Sequence, residues 1–231
     1  MTLLSPHGST PLFDDDFPPG EQLPRRIEAV FLPRTSVYGT AVRMVVNGFH
    51  VGDPLTDNAW EEEEIGYRWH DALHLAHAVC LGWSPIFRGL AKLKRRSNPH
   101  LDHVEDGGRA AVADEAIAWA TFCRARRRNW FEPDQSVDGD LLDAVQEMTY
   151  GLEVARCSRA ELEHAIRSGI ACMRALWHHN GGILYGDLHA RSLHWQPVLA
   201  TTAAAPSAPP AVSTSAGIGT PDLPAIAGTP A

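Results

Sequence analysis

The chain has no two cysteines in a CxxC spacing; Cys80, Cys123, Cys157 and Cys172 are scattered along it. That excludes a zinc knuckle or a thioredoxin-type redox motif and leaves reduced, buried thiols as the expectation. No apolar run approaches ~18 residues, so no membrane span is expected. The opening MTLLSPHGSTPLFDDDF lacks a basic stretch followed by an apolar one. No signal peptide is therefore expected, and a cytoplasmic location is. Positive charge is in deficit, with 20 Lys+Arg against 28 Asp+Glu and a net charge of -8. This argues against nucleic acid as a partner. There is no glycine-rich phosphate loop and no GxSxG elbow, which removes two common hydrolase architectures. From Pro197 onward the chain has no aromatic residue and a single charge, Asp222. It cannot bury enough apolar surface to offset its ordering entropy, so 197–231 is expected to be a disordered tail.

What is present is an ordinary globular composition, 44% hydrophobic and 21% charged over 231 residues, enough for one sizeable core. Residues 1–24 read as an extended lead-in, because Pro18, Pro19 and Pro24 forbid a helix. Phe13 and Phe17 could dock it onto the core. A single domain is expected over 25–196. It begins with a β-hairpin region at 25–53, where Ile27–Leu32 and Ala41–Val46 are apolar runs and Asn47-Gly48 is a hairpin turn signal. A helical bundle follows over 57–180. Its first helix starts near Asp57 or Asn58, carries Glu61 to Glu64 in its first turns and runs to Gly82. Ser84-Pro85 starts a second helix that ends in Lys92, Lys94, Arg95 and Arg96 and is broken by Ser97-Asn98-Pro99. A third helix covers 102–128, a fourth 138–154, and a fifth 158–179 opens on a Ser158/Glu161 capping box. Residues 183–195 form a terminal strand that could pair with the hairpin. The expected fold class is α+β, predominantly α: a helical bundle of about five helices with a small antiparallel sheet at the N-terminus.

Chemistry concentrates in Gly66–Pro85, GYRWHDALHLAHAVCLGWSP. His70 and His74 are four apart and share a helix face with Tyr67 and His77. Two readings are open. One is a buried His/Asp network that fixes packing; the other is a site. A second segment, EDGGRAAVADEA, puts Glu105, Asp106, Arg109, Asp114 and Glu115 on consecutive turns, and Glu115 sits in otherwise nearly uncharged surroundings. As a site, Asp71, Glu105, Asp106 and Glu115 would hold Mg²⁺ or Mn²⁺, since oxygen donors with one or two imidazoles suit those ions. His70, His74 or Glu115 would handle protons. Lys94, Arg95, Arg96 and Arg109 would meet phosphates, although KLKRRS reads more readily as a solvated helix terminus.

Five stretches together carry a resemblance: FDDDFPPGEQLPRRIEAVF, VNGFHVGDPLTDNA, GYRWHDALHLAHAVCLGWSP, KRRSNPHLDHVEDGGRAAVADEAI and VDGDLLDAVQEMTYGLEV. Over roughly residues 13–195 the chain resembles the C-terminal domain of MazG-type nucleoside triphosphate pyrophosphohydrolases. The resemblance implies a mostly helical domain in proteins that hydrolyse nucleoside triphosphates to monophosphate and pyrophosphate, usually with Mg²⁺. The catalytic signature of the MazG core, EExxE followed by ExxD, does not carry over. The one candidate is Glu61 to Glu64, and the fifth position is Ile65. Two functions are therefore expected from this resemblance. One is a metal-dependent phosphoanhydride hydrolase acting on a nucleotide or other phosphorylated small molecule. The other is a non-catalytic accessory module that binds a nucleotide or a separate pyrophosphohydrolase subunit.

Overall fold

A computed structural model describes residues 12–36, 39–57, 65–131 and 136–198. Strand β1 (Arg26–Ser36) places Ile27, Ala29 and Phe31 on one side, all at most 2% exposed, and the period of two makes that side the core face. Strand β2 (Gly39–Val46) alternates in the same way through Val42, Met44 and Val46. Asn47 and Gly48, at φ 48° and 85°, form the two-residue turn that the sequence predicts and lead into β3 (Phe49–Leu55). The Asn47 side chain accepts from the Glu28 amide at 2.8 Å, which fixes the register.

The sheet is larger than expected. The C-terminal stretch is not one strand but a hairpin, β4 (Gly182–Asp187) and β5 (Ser192–Gln196). Its turn forms because the Asp187 carboxylate accepts from the amides of His189 and Ala190 and Arg191 adopts a positive φ of 52°. β4 pairs with β1 along Arg26–Phe31, giving a five-stranded antiparallel sheet in the order β3-β2-β1-β4-β5. This overturns the expected bundle with a small N-terminal sheet. The architecture is α+β, with a full sheet built from both ends of the domain and helices packed on its core face.

Helix α1 (Asp71–Ala76) is buried on every side, against α6 (Arg159–His178) and α4 (Gly108–Arg127). It is entered through Gly66, at φ 83°, and a short 3-10 turn, Tyr67–Trp69. A Cβ at Gly66 would lie 2.8 Å from the Trp177 ring, so no other residue fits there without movement. The helix does not begin at Asp57, which lies outside any helix or strand. Asp57 instead caps the turn from a distance, accepting from the amides of Gly66 (3.3 Å) and Arg68 (2.8 Å). Asn58 and Glu61 to Glu64 lie outside the described residues, as does the tail from 199. After Ala76 the chain widens into a π-helical turn, His77–Leu81, closed by Gly82 at φ 72°.

Helix α2 (Pro85–Leu90) starts as predicted, with Ser84 Oγ accepting from the Phe87 amide. It stops at Leu90, before the basic run. Ser97-Asn98-Pro99 is not a breaker but a start: Asn98 caps α3 (Pro99–Val104), with Pro99 at the first helical position. The expected third helix is thus two, α3 and α4, interrupted at Gly107. Helix α5 (Gly139–Met148) ends six residues before the expected end, and a separate 3-10 turn covers Glu153–Arg156. The capping box on α6 forms in both directions. The lead-in is tied down at Asp14, 1% exposed, which pairs with Arg88 at 2.6 Å and Arg25 at 2.8 Å.

Candidate functional site

Helix α1 and the first half of α4 face one another, and their polar side chains meet. Asp114 is fully buried and saturated with donors. One of its oxygens is 3.1 Å from His74 Nδ1 and 2.7 Å from His77 Nδ1. The other accepts from Ser84 Oγ at 2.6 Å and from the Ile86 amide at 3.2 Å. Burial alone would raise its pKa. The His74 charge and the hydrogen bonds from His74 and His77 outweigh that and hold the carboxyl well below the usual range.

His74 lies between two carboxylates, with Nε2 3.2 Å from Glu115 Oε2. Burial works against its charged form, but the Asp114 charge and the hydrogen bonds to Asp114 and Glu115 prevail and push it up to about 10. Glu115 is the solvent-facing member, 45% exposed at its side chain. Its hydrogen bond to His74 holds its pKa down to about 2, against burial, and its second oxygen accepts from Tyr67 OH at 2.8 Å. His70 donates through Nδ1 to the Tyr67 carbonyl at 2.9 Å, and the Tyr67 ring lies parallel to it with centroids 4.1 Å apart. Its Nε2 is 4.0 Å from Asp71 Oδ1 and 3.9 Å from Glu115 Oε1. Burial lowers the His70 pKa, with Asp71 opposing, and burial raises that of Asp71, with His70 and His74 opposing. The ligand atoms of His70, Asp71 and His74 lie within 4.8 Å of one another, as do those of His74, His77 and Asp114.

Of the residues singled out from sequence, the fold brings together His70, Asp71, His74 and Glu115. Glu105 and Asp106 are not with them. Asp106 takes Arg95 in a bidentate pair, from Nε at 3.1 Å and Nη2 at 2.8 Å, and Arg95 Nη1 reaches Glu153 at 3.0 Å. Glu105 accepts from the Glu153 amide at 3.0 Å. The second network therefore ties the 3-10 turn at 153–156 to the start of α4. Arg95, at 0% exposure, is a structural ion pair and is not presented to solvent. Arg109 donates to the Tyr150 carbonyl at 2.6 Å. Lys94 is half-buried and Arg96 exposed.

Sequence reasoning did not give Asp114 its central place. A signal was available: Asp114 falls in step with Ala110, Ile117, Ala118 and Thr121, the buried stripe of α4. An acid on that stripe needs internal partners.

The fold and this centre define a class, an α+β domain with a buried histidine/carboxylate cluster opening to solvent at one glutamate. Residues 8–199 match the family model for the MazG C-terminal domain, and the chain belongs to that family. No curated protein and no solved structure matches it. No helix among the described residues is long and apolar enough to cross a membrane.

Proposed function

We propose that the domain is a divalent-metal-dependent hydrolase of nucleotide phosphoanhydrides, working at His70, Asp71, His74 and Glu115. One observation carries the reading. Each imidazole is held from behind through Nδ1, His70 by the Tyr67 carbonyl and His74 by Asp114, so that Nε2 faces carboxylates 3.2–4.0 Å away. Ligating histidines are oriented in this way in metal centres. His70, Asp71 and His74 would hold the ion, and two imidazoles with one carboxylate suit Mn²⁺ better than Mg²⁺. When bound, such an ion polarises a phosphoryl oxygen and lowers the pKa of a water. Glu115, fixed by Tyr67 OH and open to solvent, would take the proton of the attacking water. His74 must shed its Nε2 proton to ligate, so affinity for the ion should rise with pH. Membership of the MazG C-terminal domain family supports a nucleotide as the substrate class.

The test is turnover of a nucleoside triphosphate panel by the full chain with Mn²⁺ or Mg²⁺, read as pyrophosphate or phosphate release. Asp71→Asn should abolish it while the far-UV spectrum and melting profile stay intact. Absence of turnover for every nucleotide with either ion would sink the hydrolase reading.

A second reading is favoured by one observation, the saturation of Asp114 by four donors deep in the core, which is what a packing network requires. On that reading the domain is a non-catalytic module serving a separate pyrophosphohydrolase subunit. Mixing the two proteins should then change the subunit's kcat/KM, and Asp71→Asn should leave that effect untouched.

A further inference from the structure

The basic end of α4 lies outside the centre just described, and its arginines divide into two kinds. Arg124 and Arg128 pair with Asp138, at 3.6 Å and 2.5 Å. Arg126 and Arg127 are exposed and have no carboxylate partner among the described residues. The Arg126 guanidinium lies over the Phe122 ring at 5.8 Å. Two turns back on the same helix face is Trp119, 48% exposed, and these side chains line one open groove with Cys123.

The Trp119 indole is held in place. Its ring meets Tyr67 edge-on at 5.0 Å and lies against Phe122 at 5.7 Å and 27°. A flat ligand that covers it therefore orders little that is not already ordered. The helix macrodipole accounts for cations at this terminus. It does not account for a large indole kept exposed beside two arginines that have no acidic partner among the described residues, in a chain of net charge -8. That combination, an aromatic plane and positive charge in one groove, matches a ligand with an aromatic ring at one end and an anion at the other. The separation fits as well: seven residues of helix rise by about 10 Å, which a nucleoside and an arginine side chain span together.

We propose that this groove is a nucleotide-binding surface, with the base stacked on Trp119 and the phosphate paired with Arg126 and Arg127. It goes beyond the hydrolytic centre, requires no metal and stands whether or not that centre turns over. Base–aromatic stacking tolerates any base, so the groove selects nucleotides as a class and prefers purines for their larger face.

The experiment is calorimetric titration of the full chain in EDTA with AMP, GMP, CMP and UMP. Adenosine and ribose 5-phosphate serve as the two halves of the ligand. Monophosphates should bind, purines tighter than pyrimidines, and each half should bind about tenfold or more weakly. Trp119→Ala and the double change Arg126→Ala/Arg127→Ala should each weaken AMP by about tenfold or more, and Trp119→Phe should keep most of the affinity. Raising salt should weaken AMP and leave adenosine unchanged. No heat with any monophosphate, or equal affinity in the wild type and both alanine variants, overturns the proposal. The two readings fail separately. Metal-dependent turnover with AMP binding unaffected by Trp119→Ala would remove the groove and keep the hydrolase. Metal-free binding without turnover would do the reverse.

Discussion

Asp114 and Glu115 are neighbours in the chain with opposite surroundings. The first is fully buried and holds four donors; the second is half in solvent and holds two groups. One residue step, about 100° of helix rotation, separates a carboxylate that organises the core from one that faces outward. Asp114→Ala would remove the buried one of the two carboxylates that hold the His74 charge and take a partner from His77 Nδ1, Ser84 Oγ and the Ile86 amide, so it should cost about 3 kcal/mol or more in urea unfolding. Glu115→Gln keeps the shape and one acceptor at an exposed position and should cost less than about 1 kcal/mol. Equal losses at both positions would mean that the cluster is scaffold throughout. The histidine spacing was legible in the sequence, because residues four apart on a helix share a face. The division of labour between the adjacent acids was not, since it depends on which face of α4 meets α1. Arg95 makes the same point. A run of four cations is identical on paper whether it coats a helix end or, as here for one member, pairs with Asp106 and Glu153 in the interior.

At the scale of elements, the break between α3 and α4 gives Glu105 and Asp106 a setting different from that of Asp114 and Glu115. Read as one continuous helix, 102–128 puts all four acids on neighbouring turns of one rod. Gly107 interrupts it and turns the earlier pair toward Arg95. A Cβ added at Gly107 would sit 2.0 Å from the His103 carbonyl oxygen, whereas one at Gly108 would meet nothing within 4 Å. Gly107→Ala should therefore destabilise by about 2 kcal/mol or more. Gly108→Ala, at the first helical residue and with a compatible backbone, should be neutral or stabilise by up to about 1 kcal/mol. Thermal melts of the two variants check this, and a milder effect at 107 than at 108 would contradict the geometry. The starts of α2 and α6 were legible because capping is local chemistry. Ser84-Pro85 and Ser158-x-x-Glu161 each satisfy amides within three residues.

Over the whole molecule, the charged cluster makes stability depend on pH. The His74 pKa rises from 6.5 to about 10 on folding. Its contribution is fully present below about pH 6.5 and is lost as pH climbs toward 10, at no more than about 1.4 kcal/mol per unit for one proton. Asp114 acts in the opposite sense: its depressed pKa favours folding above the ordinary carboxylate range and ceases to do so in acid. His70, lowered by burial, adds a penalty as pH falls through its unfolded value of 6.5. In EDTA, urea midpoints should decline between pH 7 and 9.5, and His74→Gln should flatten that slope. A slope unchanged by the variant would show that His74 is not held as an imidazolium.

By itself the sequence determined the local devices: the Asn47-Gly48 hairpin, the starts of α2 and α6, and the placement of Asp71 and His74 on one helix with His70 at its N-cap. These follow from backbone conformational preference and helical periodicity, which act over a few residues. Family membership was also carried by the linear pattern of residues. Only the tertiary structure decided that β4 would pair with β1 and complete a five-stranded sheet across more than 150 residues of chain. It alone sent Glu105 and Asp106 to Arg95 while Asp114 and Glu115 went to the histidines. The reason is that carboxylates and cations in a chain are chemically interchangeable partners until packing fixes which of them are buried together.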